Sequence, residues 1–301
     1  MLFPISHVQI APAYLVALGF VVGVFGGFFG VGGSFLAGPV LFGFGLPMNF
    51  VVGTDLAHIA GKSVVAARRH HKLGNIDYRL GLLMVIGTIP GVELGAQLIE
   101  YLKRTAHVDV VVGSCFVAIL LATAAFMTWE TTKTLRASRG ERAAKRDLNY
   151  LRRLSRWIQR VGPPPYVNLP VSNIRRLSVP VLVLVSFVGG LFSGFLGGGA
   201  GYIRMPSLIY IVGVPTHVAV ATDLFEIIIS AGYGTISHAL KGNVDILIAL
   251  VMQTGAAIGA QIGAQLTEYY KGVQIRMAFI PLPIIGAALI VYGLLSGHPF
   301  Q

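Results

Sequence analysis

Ten apolar segments, separated by short polar or glycine-rich stretches, follow one another along the chain in two groups of five. The first group covers residues 10–29, 34–45, 50–67, 80–99 and 108–129, and the second covers residues 179–196, 201–212, 218–240, 246–266 and 277–295. About 20 apolar residues in a helix cross a hydrocarbon core of about 30 Å. Most of the segments therefore predict membrane-spanning helices, whereas the second segment of each group is too short to cross unaided.

The two groups are copies of each other, because several motifs recur at a nearly constant spacing. The stretch GVFGGFFGVGGSFLAGPVLFGFGLP from Gly23 returns as GLFSGFLGGGAGYIRMPSLIYIVGVP from Gly190, 167 residues later. Three further motifs return 168 residues later, namely TDL, GNID (as GNVD) and GAQLIEYLK (as GAQLTEYYK). A duplicated apolar chain interrupted by glycine is typical of transporters that are built from two repeats.

Basic residues predict which ends of the segments face the cytoplasm. Arg68, Arg69, Lys72 and Arg79 flank the turn after the third segment, and residues 130–178 hold twelve Lys or Arg against three acidic residues. Both regions should be cytoplasmic. Five crossings per repeat, an odd number, would then place the second copy upside down. If the short segments re-enter instead of crossing, each repeat crosses four times and the copies would be parallel.

We therefore predict an all-α polytopic membrane protein with two inverted-topology repeats of about five segments each and short, glycine-broken helices at the centre. The predicted divisions are residues 1–129 for the first repeat, 130–178 for a basic cytoplasmic linker and 179–301 for the second repeat. Composition agrees, because 54% of the residues are hydrophobic and 12% are charged, against roughly 25% charged in soluble domains. We expect the first apolar run to be a span rather than a removed signal peptide.

The basic linker contains a stretch with helical amphipathic periodicity. Its apolar positions are Leu148, Leu151, Leu154, Trp157 and Ile158, with arginines around them. Such a helix would lie on the anionic cytoplasmic leaflet, so membrane lipids are expected partners and nucleic acid is not. The alternative is a solvated linker. A single cysteine, Cys115, excludes an internal disulfide and a cysteine-based metal site, and we expect neither a metal nor a cofactor.

Each repeat has a glycine cluster between its first, long segment and its second, short one. The candidate substrate-binding positions there are Gly32, Gly33, Ser34, Gly198 and Gly199. Glycine runs form poor helix, and unwound backbone within a membrane is tolerated only against protein or a water-filled cavity. The short helix after each cluster would direct its N-terminus, with free N–H groups and partial positive charge, at an anion. Close helix packing through small residues is the alternative.

Arg204 follows the second cluster, and its counterpart in the first repeat is Ala37. A guanidinium is permanently charged and expensive to place inside a membrane protein. It is a candidate ligand for an oxyanion substrate. The alternatives are extension to the interface or an ion pair with Asp223 or Glu226.

The third segment of each repeat carries polar and ionisable residues on one face. Thr54 directly precedes Asp55, and Thr222 directly precedes Asp223. Both threonines could offer hydroxyl groups to an anion. Acidic and histidine side chains within membrane segments often relay protons. The proton-coupling candidates are Asp55, His58, Asp223 and Glu226, with Lys62 and Ser230 further along the same faces. Structural ion pairing or helix capping is the alternative role.

Glycine recurs at every fourth position of the fourth segments, which favours backbone-to-backbone helix packing. These glycines are Gly87, Gly91 and Gly95 in the first repeat and Gly255, Gly259 and Gly263 in the second.

The chain resembles the TauE/SafE family of sulfite exporters and related anion permeases. The resemblance rests on the glycine clusters, the prolines that follow them, the Thr-Asp pairs, the GN-x-D turns and the glycine series. It implies transport of small sulfur-containing anions, such as sulfite or organosulfonates, across the bacterial cytoplasmic membrane. The second cluster, GGGAG, and the long basic linker depart from the family pattern.

The function that we expect is an alternating-access transporter of small anions, an exporter that could be proton-coupled. An anion channel and a cation permease of similar architecture are the alternatives. No Ser-His pair, HExxH sequence or metal-ligand pattern occurs in the spans, so we do not expect an enzyme. A homodimer is left open.

Overall fold

The computed structural model describes residues 2–29, 33–105, 107–138, 157–159, 161–198, 201–270 and 272–296. The first half contains the helices α1 (Pro12–Phe29), α2 (Ser34–Gly43), α3 (Met48–Lys72), α4 (Tyr78–Arg104) and α5 (Val108–Ser138). The second half contains α6 (Val179–Leu196), α7 (Gly201–Ser207), α8 (Thr216–Leu240), α9 (Ile246–Leu266), α10 (Gly272–Phe279) and α11 (Pro281–Ser296). A π-helical turn, Leu208–Val212, continues α7.

Eight helical stretches among the described residues are long and apolar enough to cross a membrane. They are α1, α3, α4, α5, α6, α8, α9 and the combined run Val273–Ser296 of α10 and α11. The protein is therefore an all-α polytopic membrane protein. The two short segments form α2 and α7, each inserted between the first and second long helix of its half.

Several helices extend beyond the apolar segments that define them in the sequence. α3 continues to Lys72 and α4 to Arg104, because basic side chains suit the negative end of a helix although they lower its hydropathy. α5 continues to Ser138, past the predicted repeat boundary at residue 129. The last segment is divided before Pro281, where proline cannot donate the backbone hydrogen bond that a continuous helix requires.

The linker contributes a β-hairpin, which the sequence pattern did not predict. Its antiparallel strands are β1 (Tyr166–Leu169) and β2 (Ile174–Ser178), directly before α6. A smaller turn, closed by a bridge between Leu2 and Gln9, lies before α1. The predicted amphipathic helix falls almost entirely outside the described residues, and the division into repeats and linker stays a prediction.

Glycines bring helices from the two halves into backbone contact, as their spacing predicts. A Cβ atom added at Gly91 of α4 would collide with the carbonyl oxygen of Phe187 on α6. One added at Gly259 of α9 would collide with the carbonyl oxygen of Phe20 on α1. Each close pair therefore joins one helix of the first half to one helix of the second.

The order of these contacts along each helix shows whether the two helices of a close pair are parallel or antiparallel. Along α4, Gly87, Gly91 and Gly95 lie beside Val183, Phe187 and Leu191, so α4 and α6 are parallel. Along α1, Gly19, Gly23 and Gly27 lie beside Met252, Ala256 and Ala260, so α1 and α9 are also parallel.

The central helices α3 and α8 each run parallel to one of these pairs. Gly53 lies beside Asn243 and Gly61 beside Gln253, which makes α3 parallel to α9. By the same comparison, Gly81 lies beside Phe225 and Gly234 beside Val92, so α8 is parallel to α4.

α3 and α8 run in opposite directions. Gly234 of α8 lies beside Leu56 near the start of α3, whereas Thr222, early in α8, bonds to Asp77 just beyond the end of α3. The helices α1, α3 and α9 thus run one way, and α4, α6 and α8 run the other way.

Asp77, the aspartate of the GNID turn, connects three parts of the chain. Its Oδ1 accepts from Leu80 N–H and so caps α4. Its Oδ2 accepts from the backbone N–H and the hydroxyl of Ser172, in the β-hairpin. Its own N–H donates to Thr222 Oγ1 on α8 at 3.0 Å.

Asp245, the aspartate of the GNVD turn, forms the equivalent bonds from the second half to the first half. It caps α9, its Oδ2 accepts from the N–H and hydroxyl of Ser6, and its N–H donates to Thr54 Oγ1 on α3 at 2.9 Å. Each duplicated turn is therefore bonded to the other half of the molecule.

We expect Gly91→Ala to lower the free energy of unfolding by about 1–3 kcal/mol, because the added methyl group overlaps backbone atoms that move only if α4 and α6 separate. The measurement is the thermal unfolding midpoint in detergent. Gly232→Ala on α8 is the matched control, since a Cβ there has no neighbour within 4 Å. Equal midpoints for the two variants would contradict the packing argument.

Candidate functional site

Two clusters of buried ionisable side chains are built on the antiparallel central helices α3 and α8. The first cluster, on α3, consists of Asp55, His58 and Lys62, which are 1%, 0% and 2% exposed. Their spacing places them on one helix face, as the sequence predicts. Asp55 Oδ1 and His58 Nδ1 are 3.6 Å apart, a contact that is an ion pair only when the histidine is protonated.

The second cluster joins α7 to α8 through Arg204, which is fully buried. Its Nε lies 2.6 Å from Asp223 Oδ1, and its Nη1 contacts Glu226 Oε2. Ser230 donates its hydroxyl hydrogen to the same Glu226 oxygen at 3.2 Å. The ion pair left open as an alternative for Arg204 is therefore present, and it involves both acidic residues.

Gly189 on α6 provides the space for the Arg204 side chain. A Cβ atom at this position would lie 3.1 Å from Arg204 Cδ. The Arg204 cluster is thus enclosed by α6, α7 and α8. One guanidinium facing two carboxylates leaves the cluster with a net charge of −1 when all three groups are ionised.

The glycine clusters form turns that other residues adopt only with strain. Gly33 has φ 76° and is the N-cap of α2, and no side chain caps this helix. Gly197 has φ 74° and ψ −162°, a conformation that is essentially restricted to glycine. Gly198, with φ 80°, continues the second turn. Gly32, Gly199 and the side chain of Ser34 lie outside what the structure describes.

Thr54 and Thr222 are fully buried, and their oxygens accept the backbone N–H groups of Asp245 and Asp77. These bonds place both threonines at the contact between the halves. Among the described residues, no side-chain hydrogen bond joins either threonine to Arg204, Asp223 or Glu226. Their predicted role as anion ligands stays a prediction.

Asp55 and Asp223 do not cap helices. Each lies well inside its helix, and the N-cap residues of α3 and α8 are Pro47 and Pro215. The capping aspartates are Asp77 and Asp245. The capping role proposed as an alternative for Asp55 and Asp223 is therefore wrong, because each aspartate comes seven residues after the first residue of its helix.

Lys62 was not among the predicted binding residues, although the sequence places it on the face of Asp55. Its ammonium group has no hydrogen-bond partner among the described residues. A Cβ built on Gly33 would lie 3.3 Å from Lys62 Nζ, so the ammonium lies at the start of α2. The signal that could have identified it is a lysine in the middle of a membrane segment.

Both short helices thus begin among glycines and have a buried cation near their first turns. A family model described as "Sulfite exporter TauE/SafE" matches residues 15–290. The chain belongs to this family.

Curated members of the TauE/SafE family match nearly the whole chain. "Probable membrane transporter protein YunE" of Bacillus subtilis is 28% identical over 291 residues, which cover 94% of this chain and 98% of that protein. "Probable membrane transporter protein YdhB" of the same organism is 23% identical over 92% of this chain and 99% of its own length. "Probable membrane transporter protein MJ0441" of Methanocaldococcus jannaschii is 23% identical over 87% of this chain and 89% of its own length.

No solved structure matches the chain with significant similarity. The family, these relatives and the eight apolar helices together identify a multi-pass membrane transporter. The names of the three relatives give no substrate.

Replacing Arg204 with methionine should cost about 3–5 kcal/mol of stability, because two buried carboxylates lose their counter-charge. The measurements are the yield of monodisperse protein and its thermal midpoint in detergent. Neutralising the partners in the triple variant Arg204→Met, Asp223→Asn, Glu226→Gln should recover much of the loss. A single variant as stable as the wild type would show that the ion pairs do not hold the cluster together.

Proposed function

We propose that this TauE/SafE protein exports small sulfur-containing oxyanions, such as sulfite or organosulfonates, across a bacterial cytoplasmic membrane. The family description names sulfite export, and the relatives are named as membrane transporters. The observation that carries the proposal is the short helix α2, which begins at Gly33 inside the protein beside the buried cation Lys62. Exposed N–H groups and a cation at one place favour an anion.

Alternating access between two inverted repeats is the proposed mechanism. The opposite directions of α3 and α8, and of α1 and α6, support it, because equivalent helices of the two halves are antiparallel. The crossed bonds of Asp77 and Asp245 also support it, since each connects its turn to the opposite half. In such a molecule one conformation open to the cytoplasm and one open to the outside are related by exchange of the two halves.

The glycine contacts limit how these conformations interconvert. Because α4 is packed against α6 and α1 against α9, each close pair contains one helix from each repeat. Separating the repeats as two rigid bodies would break both pairs at once. The proposed motion is therefore a displacement of the elements outside the pairs, above all the short helices and the helices α5, α10 and α11, against a fixed central group.

Asp55, His58, Asp223 and Glu226 are the groups proposed to carry coupled protons. All four are buried, and each lies within reach of a charged neighbour. The Arg204 cluster has one more acid than base, so uptake of one proton would make it neutral. The anion-binding positions that the sequence predicts, namely Gly32, Gly33, Ser34, Thr54, Gly198, Gly199, Arg204 and Thr222, stay predictions.

Purified protein in liposomes should transport radiolabelled sulfite at a rate that saturates with sulfite concentration, because each cycle carries substrate through a single binding site. The flux is measured with and without an imposed pH gradient, and protein-free liposomes are the control. Sulfoacetate, sulfate and divalent cations are tested as competitors. Unsaturable flux accompanied by single-channel currents would indicate a channel, and competition by cations alone would indicate a cation permease.

Cysteine labelling tests the inverted arrangement. Lys72 and Leu240 occupy equivalent positions, 168 residues apart, and both are exposed at the ends of α3 and α8. In a Cys115→Ala background, Leu240→Cys should react with a membrane-impermeant maleimide on intact cells, whereas Lys72→Cys should react only after the membrane is opened. The Cys115→Ala protein without a new cysteine is the control. Labelling of both positions from one side would mean that the repeats are parallel.

A further inference from the structure

Lys62 is a buried cation in the middle of a membrane helix. Its side chain is 2% exposed, and its ammonium group forms neither a hydrogen bond nor an ion pair with any described residue. Asp55, two turns earlier on α3, contacts His58 instead. Transfer of an ammonium ion into a protein interior costs several kcal/mol unless a counter-charge or hydrogen bonds compensate. A group that supplies negative charge and acceptor oxygens at Lys62 would therefore be bound favourably.

The ammonium faces the N-terminus of α2. Lys62 Nζ lies 3.3 Å from the point where a Cβ atom of Gly33 would be. Gly33 is the N-cap of this ten-residue helix and provides no side-chain cap. Leu36 N–H already donates to the Gly33 carbonyl oxygen at 3.2 Å. The earlier N–H groups, of residues 34 and 35, and the partial positive charge of the helix therefore act at the same place as the ammonium.

The equivalent place in the second half is neutralised from within the protein. The residue equivalent to Lys62 is Ser230, which is bonded to Glu226. The cation there is Arg204, and it already contacts two carboxylates. An incoming anion at Arg204 would face the negative charge of Asp223 and Glu226, which both contact the guanidinium. At Lys62 it would meet an ammonium group that forms no ion pair with a described residue, since the acid of that cluster, Asp55, contacts His58.

We propose that Lys62, together with the backbone N–H groups at the start of α2, is the binding site for the substrate oxyanion. This inference rests on the proposed function and specifies its site: the anion binds in the first half, and Arg204 serves as a structural ion-pair partner. The expected ligand is a small oxyanion, sulfite or the sulfonate group of a larger molecule, because its oxygens accept from the ammonium and the amides together. A side chain at position 33 would collide with the carbonyl oxygen of Val22 and would lie between that residue and the ammonium group.

The test is sulfite binding to the full-length protein in detergent, measured with radiolabelled sulfite, for wild type, Lys62→Met and Ser63→Ala. A charge-assisted contact of this kind predicts about tenfold to a hundredfold weaker binding for Lys62→Met. Ser63→Ala is the matched control, because Ser63 is the adjacent residue, is fully buried and carries no charge. Its affinity should equal that of the wild type.

The outcomes separate the inference from the proposed function. Equal sulfite affinity of the wild type and Lys62→Met overturns the role of Lys62 and leaves the transport proposal intact. Absence of binding of sulfite, sulfoacetate and sulfate to the wild type overturns both. If Lys62→Met does not purify as monodisperse protein, Lys62→Gln decides, because its amide is of similar length and can donate a hydrogen bond but carries no charge. An unchanged affinity in Lys62→Gln, with Ser63→Ala also unchanged, overturns the inference.

Discussion

An ionised side chain enclosed within a membrane protein needs a counter-charge, and this requirement organises the centre of the molecule. Desolvation of one ion costs several kcal/mol, so a buried charge without a partner is tolerated only where it has a use. Arg204 meets the requirement with Asp223 and Glu226. Lys62 does not meet it among the described residues, although it is almost equally buried. The difference between these two cations distinguishes a structural cluster from a candidate ligand site.

Glycine packing holds the helices that carry these charges in fixed positions. At the glycine contacts of α4–α6 and α1–α9 the nearest atoms of the neighbouring helix are backbone atoms, which cannot rearrange as a side chain can. The N–H groups of the helix-capping residues Asp77 and Asp245 add hydrogen bonds between the halves, to Thr222 and Thr54 respectively. Because Asp55 and Asp223 directly follow these threonines in sequence, the bonds that join the halves also fix the depth of the buried acids.

Local sequence patterns predicted most of the helices and the glycine contacts well, because periodicity and residue size act within a few turns of one helix. They predicted α6 and α9 to the residue, and they identified the buried faces of α3 and α8. They could not show that Ser6 and Ser172 bind the two aspartates, because these bonds join residues that are 239 and 95 positions apart. They also left the partner of Arg204 open, since Asp223, Glu226 and a substrate are chemically equivalent choices until geometry separates them.

The two halves share a backbone plan but differ in the charges that they carry, and this difference makes the two halves unequal as candidate ligand sites. Perfectly equivalent half-sites would bind the same anion equally from both sides of the membrane. Here α3 presents one acid, one histidine and one lysine, whereas α8 with α7 presents two acids and one arginine. The half whose cation forms no ion pair with a described residue is the one proposed to bind the anion, and the half with an excess acid is the one proposed to take up a proton. If the anion reaches Lys62 while a proton reaches Asp223 or Glu226, each arrival lowers the electrostatic cost of the other, and movement of the two becomes coupled.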